Sequence, residues 1–390
     1  MFFVIEQIAN SLLTFLIGLL IVNISGLEAY GYYAIYIIAS LLSLNLVYNL
    51  VTAPCLLDKN GITKSHISNS FYISVFMSAI VELLILLMKF NHLQYIALYS
   101  VVFCFDDCIR KVAIGVKNMM AIGVRYISVV SLLTMYYIYE WKISGFVLAY
   151  VVFMLMSTML AYLFISVRVS LNLSFYETIA IFKVNRLYFF SSVAQWSATN
   201  AVNMIAYGVL SPLYIGAIKS AQNICSILNF AIIASESYLL SKAKSYSCEK
   251  HFNRIILKFC IVGIVTLIFV SVIIYGFRNQ ISELLYSDSS DLVAKVLAIM
   301  AFLPIFSLLN LIVKVYSRVN SMPRILLLSS LLSGVLGLVS YLMLFDSKQL
   351  ISLPLSLLLA GASSVVFWTI LKLVLGENDG SRIFGARWFR

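Results

Sequence analysis

Long apolar segments follow one another along almost the whole of this 390-residue chain. The hydrocarbon core of a bilayer is about 30 Å thick, and a helix of about 20 apolar residues crosses it. About twelve such segments fit in the sequence, which leaves no room for a sizeable soluble domain. Only 11% of the residues are charged. The sequence therefore predicts an all-α membrane protein, because each helix satisfies its own backbone hydrogen bonds in lipid.

Lys and Arg are distributed unevenly between the segments that join these spans. With the N-terminus inside, most of the 27 Lys and Arg residues fall on inner segments, as the positive-inside rule requires. The net charge of +11 is thus a topology signal, with both termini cytoplasmic, and we expect no binding to nucleic acid. The predicted spans are 7–24, 30–53, 68–89, 94–113, 119–139, 144–167, 187–209, 213–238, 256–277, 293–316, 325–345 and 351–374.

The chain reads as two related halves. A turn that ends at Gly31 follows a polar first span, and a similar turn that ends at Gly216 follows a polar seventh span. This pattern predicts two pseudo-symmetric six-helix lobes around a central cavity, since such repeats place the substrate site at their interface. The predicted segments are an N-terminal lobe over 1–167, an amphipathic inner-side linker over 168–187, a C-terminal lobe over 188–375 and a basic cytoplasmic tail over 376–390. A plain linker also fits 168–187.

Enzyme motifs are missing from the sequence. The three histidines, His66, His92 and His251, lie in loops or at helix edges and form no HExxH pattern. No P-loop, GxGxxG fingerprint or GxSxG elbow occurs. We therefore expect no enzyme and no ATP-driven transport by this chain alone, but a secondary-type transporter, with no cofactor and no metal.

Polar side chains concentrate in the first, second, seventh and eighth spans, and those of the seventh and eighth spans recur at α-helical spacing. This distribution predicts a hydrated cavity, although hydrogen bonds between helices would also recruit Asn, Gln and Ser. The candidate substrate-binding residues are Asn10, Tyr36, Ser40, Gln195, Thr199, Asn203, Lys219, Gln222, Asn223 and Ser226.

Lys219 is a basic residue inside a predicted span. A Lys at the bilayer centre costs roughly 2.5–3.5 kcal/mol on insertion scales. It lies about 9 Å from the outer end of its helix, at 1.5 Å per residue, so its side chain could also snorkel to the surface. The functional interpretation is a cation that holds a phosphate or diphosphate.

Acidic residues suggest two further roles. Glu82, near the middle of the third span, is a candidate ion-coupling residue, or else a carboxyl group that is protonated or paired within the bundle. Asp106 with Arg110, and Asp107 with Lys111, form i,i+4 pairs at the inner end of the fourth span. These four residues are a candidate inner gate, and a solvated structural network is the alternative.

Three segments carry a resemblance to a known family. Gly26–Tyr33, Arg110–Lys117 and Leu213–Asn223 resemble segments of the polysaccharide-transport flippases, the Wzx-like group of the multidrug/oligosaccharidyl-lipid/polysaccharide exporter superfamily. The resemblance implies two six-helix lobes around a cavity that contains cations, a position that Lys219 matches. It also implies translocation of undecaprenyl-diphosphate-linked oligosaccharide, an O-antigen or capsule repeat unit, by alternating access.

The resemblance further implies a bacterial inner membrane, with membrane lipids, a glycan polymerase and a chain-length regulator as partners. Two other functions stay open at this point. A drug/cation antiporter of the same superfamily would be expected to place carboxylates in the cavity. A membrane glycan polymerase or acyltransferase would show a large outer loop or a His–Asp pair within a span.

Overall fold

The protein is described here by a computed structural model that covers residues 2–47, 72–76, 78–80, 83, 95–115, 118–165, 187, 189–243, 249–286, 290–320, 322–345 and 349–375. Within these ranges, six helices are long and apolar enough to cross a membrane, or seven if one bent pair forms a single span. The predicted fold class, an all-α membrane protein with two helical lobes, is confirmed. The chain divides into two compact units, Met1–Phe189 and Phe190–Arg390, called here the N-terminal and C-terminal lobes.

The N-terminal lobe begins with one long helix that is broken at a glycine. Gly26 has φ 82° and ψ 172°, a backbone conformation that glycine adopts at little steric cost. The break separates the predicted first and second spans. The long helices that the structure describes in this lobe are α1 (Phe2–Val47), α2 (Ile96–Gly115), α3 (Met119–Tyr139) and α4 (Ile143–Phe164). Helix α2 packs against α1 and α4, and α3 packs against α4.

A cluster of aromatic side chains fills the interior of this lobe. Tyr33 and Tyr99 meet edge to face, and their hydroxyl oxygens lie 3.2 Å apart. The Phe146 ring packs against Tyr33 and, at a centroid distance of 4.5 Å, against Tyr136. Such pairs each contribute about 0.5–1.5 kcal/mol beyond the area they bury. The cluster therefore ties α1, α2, α3 and α4 together.

The C-terminal lobe begins with a helix that changes type. Residues 189–196 are α-helical, Ser197–Ala201 form a π-helical segment, and α5 (Val202–Tyr207) follows. The remaining helices are α6 (Pro212–Ala243), α7 (Glu249–Gly276), α8 (Arg278–Tyr286), α9 (Ser290–Met300), α10 (Leu303–Val319), α11 (Pro323–Phe345) and α12 (Gln349–Leu375). Helix α6 packs against α9 and α10, and α11 packs against α12.

The predicted tenth span, 293–316, is not one straight helix. It consists of α9 and α10, which are bent by 41° relative to each other. Pro304 lies in the first turn of α10, where its missing N–H and fixed φ are tolerated, whereas a continuous helix would lose a hydrogen bond there. The buried Ser271 hydroxyl donates to the Ala301 carbonyl oxygen at 2.6 Å, which satisfies a backbone acceptor at the bend.

Three further predicted segments remain, one within the described residues and two almost or wholly outside them. The longest predicted outer loop, 278–292, contains the short helix α8. The predicted linker over 168–187 lies outside the described residues except for its last position, and the predicted tail over 376–390 lies wholly outside them.

Candidate functional site

Lys219 lies in the third turn of α6, and its side chain is half-buried. No acidic residue of the described ranges forms an ion pair with it. Among the described residues, burial is the main influence on this ammonium group. A partly desolvated cation of this kind attracts an anion strongly, because the Coulomb interaction grows as the effective dielectric constant falls.

The neighbouring polar residues of α6 follow Lys219 along one helix face. Gln222, Asn223 and Ser226 lie three, four and seven residues further on, and residues at these spacings are neighbours on a helix surface. Asn223 is buried, whereas Gln222 and Ser226 are half-buried. The Ser226 hydroxyl donates to the Asn223 carbonyl oxygen at 2.6 Å. The side-chain amides of Gln222 and Asn223 are therefore the main polar groups on this face of α6, apart from the Lys219 ammonium.

A tyrosine that the sequence did not single out lies beside the same face. Tyr286, the last residue of α8, is buried close to Asn223 and Ser220, and this burial raises its pKa to about 12. The polar side chains of Asn223 and Ser220 partly offset that rise. Its hydroxyl thus stays protonated at neutral pH and adds a hydrogen-bonding group next to Asn223. Tyr286 falls in a predicted outer loop, so no sequence pattern placed it here.

The predicted polar residues of the seventh span lie around the π-helical segment Ser197–Ala201. Gln195 precedes this segment and is half-buried, Asn203 follows it and is buried, and the side chain of Thr199 lies outside the described residues. A π turn has i→i+5 hydrogen bonds and so inserts one residue. That insertion rotates the following residues by roughly 100° relative to a continuous α-helix. The stripe predicted from α-helical spacing is therefore interrupted between Gln195 and Asn203.

A glycine of α11 makes room for this segment. A Cβ atom at Gly334 would lie 3.2 Å from the Cα of Ala198, which is closer than ordinary van der Waals contact. The π-helical backbone therefore packs directly against α11. Because π turns are rare and occur often at functional sites, the segment marks this part of the seventh span as unusual.

The candidate residues of the N-terminal lobe are packed into its interior. The Asn10 Oδ1 accepts a hydrogen bond from Arg125 Nη1 at 2.7 Å. Tyr36 packs edge to face against Tyr99 at 5.6 Å, and the Ser40 hydroxyl donates to the Tyr36 carbonyl oxygen at 2.8 Å. Tyr36 and Ser40 are both buried. Each of these polar groups thus has a partner within its own lobe, and their role in binding substrate stays a prediction.

The four residues of the candidate inner gate belong to a larger charged cluster on α1, α2 and α3. Arg110 binds Glu6 at 3.0 Å and Asp107 at 2.7 Å, and Lys111 binds Asp107 at 2.5 Å. The predicted pair of Asp107 with Lys111 is therefore present. The cluster consists of Glu6, Asp106, Asp107, Arg110, Lys111 and Arg125.

Asp106 pairs differently from the sequence prediction. Its carboxylate lies 2.7 Å from Arg125 Nε of α3, and it also accepts a hydrogen bond from Thr158 of α4 at 3.3 Å. It does not form the expected pair with Arg110, which is bound by Glu6 and Asp107 instead. The physical reason is that contacts between helices outcompete the i,i+4 contact, which contributes only about 0.2–0.5 kcal/mol.

Further hydrogen bonds complete this cluster. The Tyr126 hydroxyl donates to the Glu6 carbonyl oxygen at 2.9 Å and to its carboxylate at 3.1 Å. Since the three carboxylates and the three cationic groups balance, the cluster is neutral as a whole. Buried pairs of this kind hold helices in one arrangement more than they add stability, and the loss of one partner leaves an uncompensated charge.

A small cavity lies next to this cluster within the N-terminal lobe. Its volume is about 100 Å³, and its lining includes Asn10, Thr14, Tyr33, Asp106 and Tyr150. Water occupies about 30 Å³ per molecule in the liquid, so the cavity is large enough for a few water molecules and far too small for an oligosaccharide. It therefore lies between the charged cluster and the tyrosine cluster, and its volume is below the roughly 300–1,000 Å³ of typical small-molecule sites.

Solved structures share this fold over nearly the whole chain. The eukaryotic MATE transporter AtDTX14 superposes with a TM-score of 0.72 at 13% identity, and the alignment covers 96% of this chain and 94% of that one. The lipid II flippase MurJ, in an inward closed conformation, has a TM-score of 0.71 at 13% identity over 95% of this chain and 87% of that one. An outward-facing multidrug resistance MATE family transporter of the MOP superfamily has a TM-score of 0.64 at 12% identity over 96% and 95%.

These likenesses establish the fold, and at such identities they establish nothing finer. No protein-family model matches the sequence, and no curated protein matches it at a significant level. The Wzx-like resemblance therefore stays a prediction. The chain is a multi-pass membrane protein whose fold is the one seen in MATE transporters and in MurJ.

The ion-coupling candidate is not described by the structure, and two members of the charged cluster were not among the sequence candidates. Glu82, the candidate ion-coupling residue, lies outside the described residues. Glu6 and Arg125 were not among the candidate residues, although both belong to the charged cluster. Each is a single charge near the inner end of an apolar span, and that position is the sequence signal that points to a buried partner.

Proposed function

We propose that this chain is a flippase that moves a polyprenyl-diphosphate-linked oligosaccharide from the inner to the outer leaflet by alternating access. The substrate is an O-antigen or capsule repeat unit, and the membrane is a bacterial inner membrane with both termini of the chain in the cytoplasm. The observation that carries the proposal is Lys219, a half-buried cation within a predicted span that forms no ion pair with any described residue.

The energetic argument starts from the cost of that ammonium group. A lone Lys at the bilayer centre costs roughly 2.5–3.5 kcal/mol, so a cation without a counter-ion needs a compensating partner. A diphosphate supplies such a partner, since hydrogen bonds to charged groups contribute about 1.5–3 kcal/mol each. The same contact lowers the cost of moving the diphosphate through the membrane. Lys219 thus stabilises the diphosphate of the substrate within the membrane, where lipid cannot.

The amides near Lys219 fit the sugar part of the substrate. Gln222 and Asn223 follow the ammonium on one face of α6, and each amide both donates and accepts hydrogen bonds. Tyr286 lies close to Asn223. We propose that these groups replace the water that a polar headgroup loses on leaving the inner surface, while the polyprenyl tail stays in lipid. The likeness to MurJ, a lipid II flippase, supports a lipid-linked substrate.

A drug/cation antiporter is the second candidate, and the likeness to MATE transporters favours it. A cationic drug needs a carboxylate that is free to bind it. Among the carboxylates whose side chains are described within the predicted N-terminal lobe, however, Glu6, Asp106 and Asp107 are all paired with Arg or Lys. The polar face of α6 carries a positive charge instead, which repels such a drug.

The test uses the purified full-length chain in proteoliposomes with a polyprenyl diphosphate that carries N-acetylglucosamine. A membrane-impermeant oxidant measures how fast the sugar becomes accessible from the other side. We expect Lys219→Ala to slow translocation by tenfold or more, because a charge-assisted hydrogen bond of about 1.5–3 kcal/mol is lost. Lys219→Arg keeps the charge and should stay within about threefold of the unmodified chain.

Lys295→Ala is the matched control, since Lys295 is an exposed residue of α9 that also forms no ion pair with a described residue. It should leave the rate unchanged. Full activity of Lys219→Ala would refute the role of the cation. Accelerated transport of a cationic dye, with no translocation of the lipid-linked sugar, would establish the antiporter instead.

A further inference from the structure

The C-terminal end of α12 carries an ammonium group that is held against two aromatic rings. The Nζ of Lys372 lies 4.1 Å from the centroid of the Tyr316 ring and 5.3 Å from that of the Trp368 ring. A cation within about 6 Å of a ring centroid is attracted by the ring quadrupole. The position of this ammonium is therefore restricted, whereas a surface Lys normally samples many rotamers.

The two rings are themselves fixed by contacts between α10 and α12. The Trp368 Nε1 donates to the Oγ of the buried Ser317 at 2.8 Å. The Tyr316 and Trp368 rings meet edge to face, with centroids 5.5 Å apart and an angle of 83° between their planes. Trp368 and Lys372 are also i,i+4 neighbours on α12. Two helices thus position one cation at the inner end of the lobe.

The charge of Lys372 is not neutralised by the part of the chain that the structure describes. None of the ion pairs between described residues includes it, and its side chain is half-buried, so part of it stays accessible. An ammonium group has three N–H donors, and the ring faces interact with its charge without satisfying these donors in full. Donors are therefore left for an anionic acceptor.

An exposed apolar row lies on the same turns of α12, roughly 100–160° around the helix axis from Lys372. Val366, Ile370 and Leu373 follow one another at helical spacing, and their side chains are 54%, 49% and 82% exposed. This row is an apolar surface suited to acyl chains. With the orientation proposed above, Lys372, in the last turn of α12, lies at the headgroup level of the cytoplasmic leaflet, where anionic lipids concentrate.

We propose that Lys372, held by Tyr316 and Trp368, binds the phosphate of an anionic phospholipid of the cytoplasmic leaflet. One ammonium group matches the single negative charge of the phosphodiester in such a lipid. This site is separate from Lys219, and it depends on the proposed orientation of the lobe but not on the identity of the transported sugar.

The first experiment measures binding of phosphatidylglycerol to the purified full-length chain by native mass spectrometry, with zwitterionic phosphatidylethanolamine and polyprenyl diphosphate as comparison lipids. Lys372→Gln should weaken phosphatidylglycerol binding about fivefold, as expected for one basic residue at a membrane surface. Lys372→Arg should retain it. Tyr316→Leu keeps the charge but removes a ring, and it should weaken binding about twofold.

Lys295→Gln is the control for the change in net charge, because it removes the same charge at an exposed position of α9. It should bind phosphatidylglycerol as the unmodified chain does. Equal binding by Lys372→Gln and Lys295→Gln would overturn the proposal. A Lys372-dependent preference for polyprenyl diphosphate over phosphatidylglycerol would overturn the choice of ligand.

The second experiment needs no variant and so does not depend on how well Lys372→Gln folds. The unmodified chain is placed in nanodiscs with or without phosphatidylglycerol, and exposed lysines are acylated with an amine-reactive ester. Peptide mass spectrometry then compares Lys372 with Lys295. Phosphatidylglycerol should lower labelling of Lys372 at least threefold and leave Lys295 unchanged, and equal labelling of Lys372 in both kinds of disc would contradict the proposal.

Discussion

Replacement of Arg110 by Gln tests whether the charged cluster holds the N-terminal lobe together. The Arg110 Nη1 lies 3.1 Å and 3.0 Å from the two carboxylate oxygens of Glu6, and its Nη2 lies 2.7 Å from Asp107. Arg110 and Glu6 are only 6% and 3% exposed. Loss of one partner of a buried pair costs about 3–5 kcal/mol, because the other charge is left uncompensated. We expect Arg110→Gln to lower the free energy of unfolding by that amount.

Lys111→Gln provides the matched comparison on the same helix. The Lys111 side chain is 25% exposed and binds only Asp107 among the described acidic residues. Asp107 keeps Arg110 as a partner, so this variant should lose at most about 1 kcal/mol, as exposed pairs do. For a unit of this size, 1 kcal/mol corresponds to about 2–4 °C in Tm. Arg110→Gln should therefore lower Tm by roughly 6–20 °C, and Lys111→Gln by no more than about 4 °C.

The assay is thermal unfolding of the detergent-solubilised chain, followed by fluorescence-detected size-exclusion chromatography. A double-mutant cycle of Glu6→Gln and Arg110→Gln isolates their interaction, and we expect a coupling free energy of about 1–3 kcal/mol. Equal Tm losses for Arg110→Gln and Lys111→Gln, or additive losses in the cycle, would refute the view that this cluster is a buried structural network.

Two other substitutions test the packing of the C-terminal lobe by the same thermal assay. Gly334→Ala should lower Tm by several degrees, because its Cβ would lie 3.2 Å from the Ala198 backbone. The control is Gly123→Ala, which has no atom within 4 Å of the new Cβ and should be neutral or stabilising by up to about 1 kcal/mol. Equal effects of the two substitutions on Tm would contradict the close contact at Gly334. Ser271→Ala should cost about 1–3 kcal/mol by leaving the Ala301 carbonyl without its buried donor, and an unchanged Tm would show that this bond does not stabilise the bend.

The apolar spans were predictable because hydropathy and length alone set them. The Gly26 break was also foreseeable, since the sequence placed a turn between the first two spans. The bend between α9 and α10 was missed although Pro304 signals it, because an apolar segment of this length reads as one helix. The π-helical segment had no visible signal, since its residues, Ser197–Ala201, also fit an ordinary α-helix.

The candidate site also contains some features that could be predicted from the sequence and others that could not. A cation such as Lys219 within a span is visible in sequence because the insertion cost makes it rare. The partner of Asp106 was not visible, because pairing rules within one helix cannot see Arg125 on another. Tyr36 and Ser40 read as polar cavity residues, yet they are buried among their own lobe's side chains. Spacing identifies a helix face, but only packing between helices decides what that face meets.

The neutrality of the charged cluster has a consequence for how the membrane voltage acts on this protein. One elementary charge that crosses a potential of 100 mV changes its energy by about 2.3 kcal/mol. Glu6, Asp106 and Asp107 are balanced by Arg110, Lys111 and Arg125, so a rigid displacement of this cluster along the field transfers no net charge. Among these residues and Lys219, only Lys219 would add a gating charge of its own. Lys219 and the charge of the cargo would then contribute to the voltage dependence of transport, whereas this cluster would not.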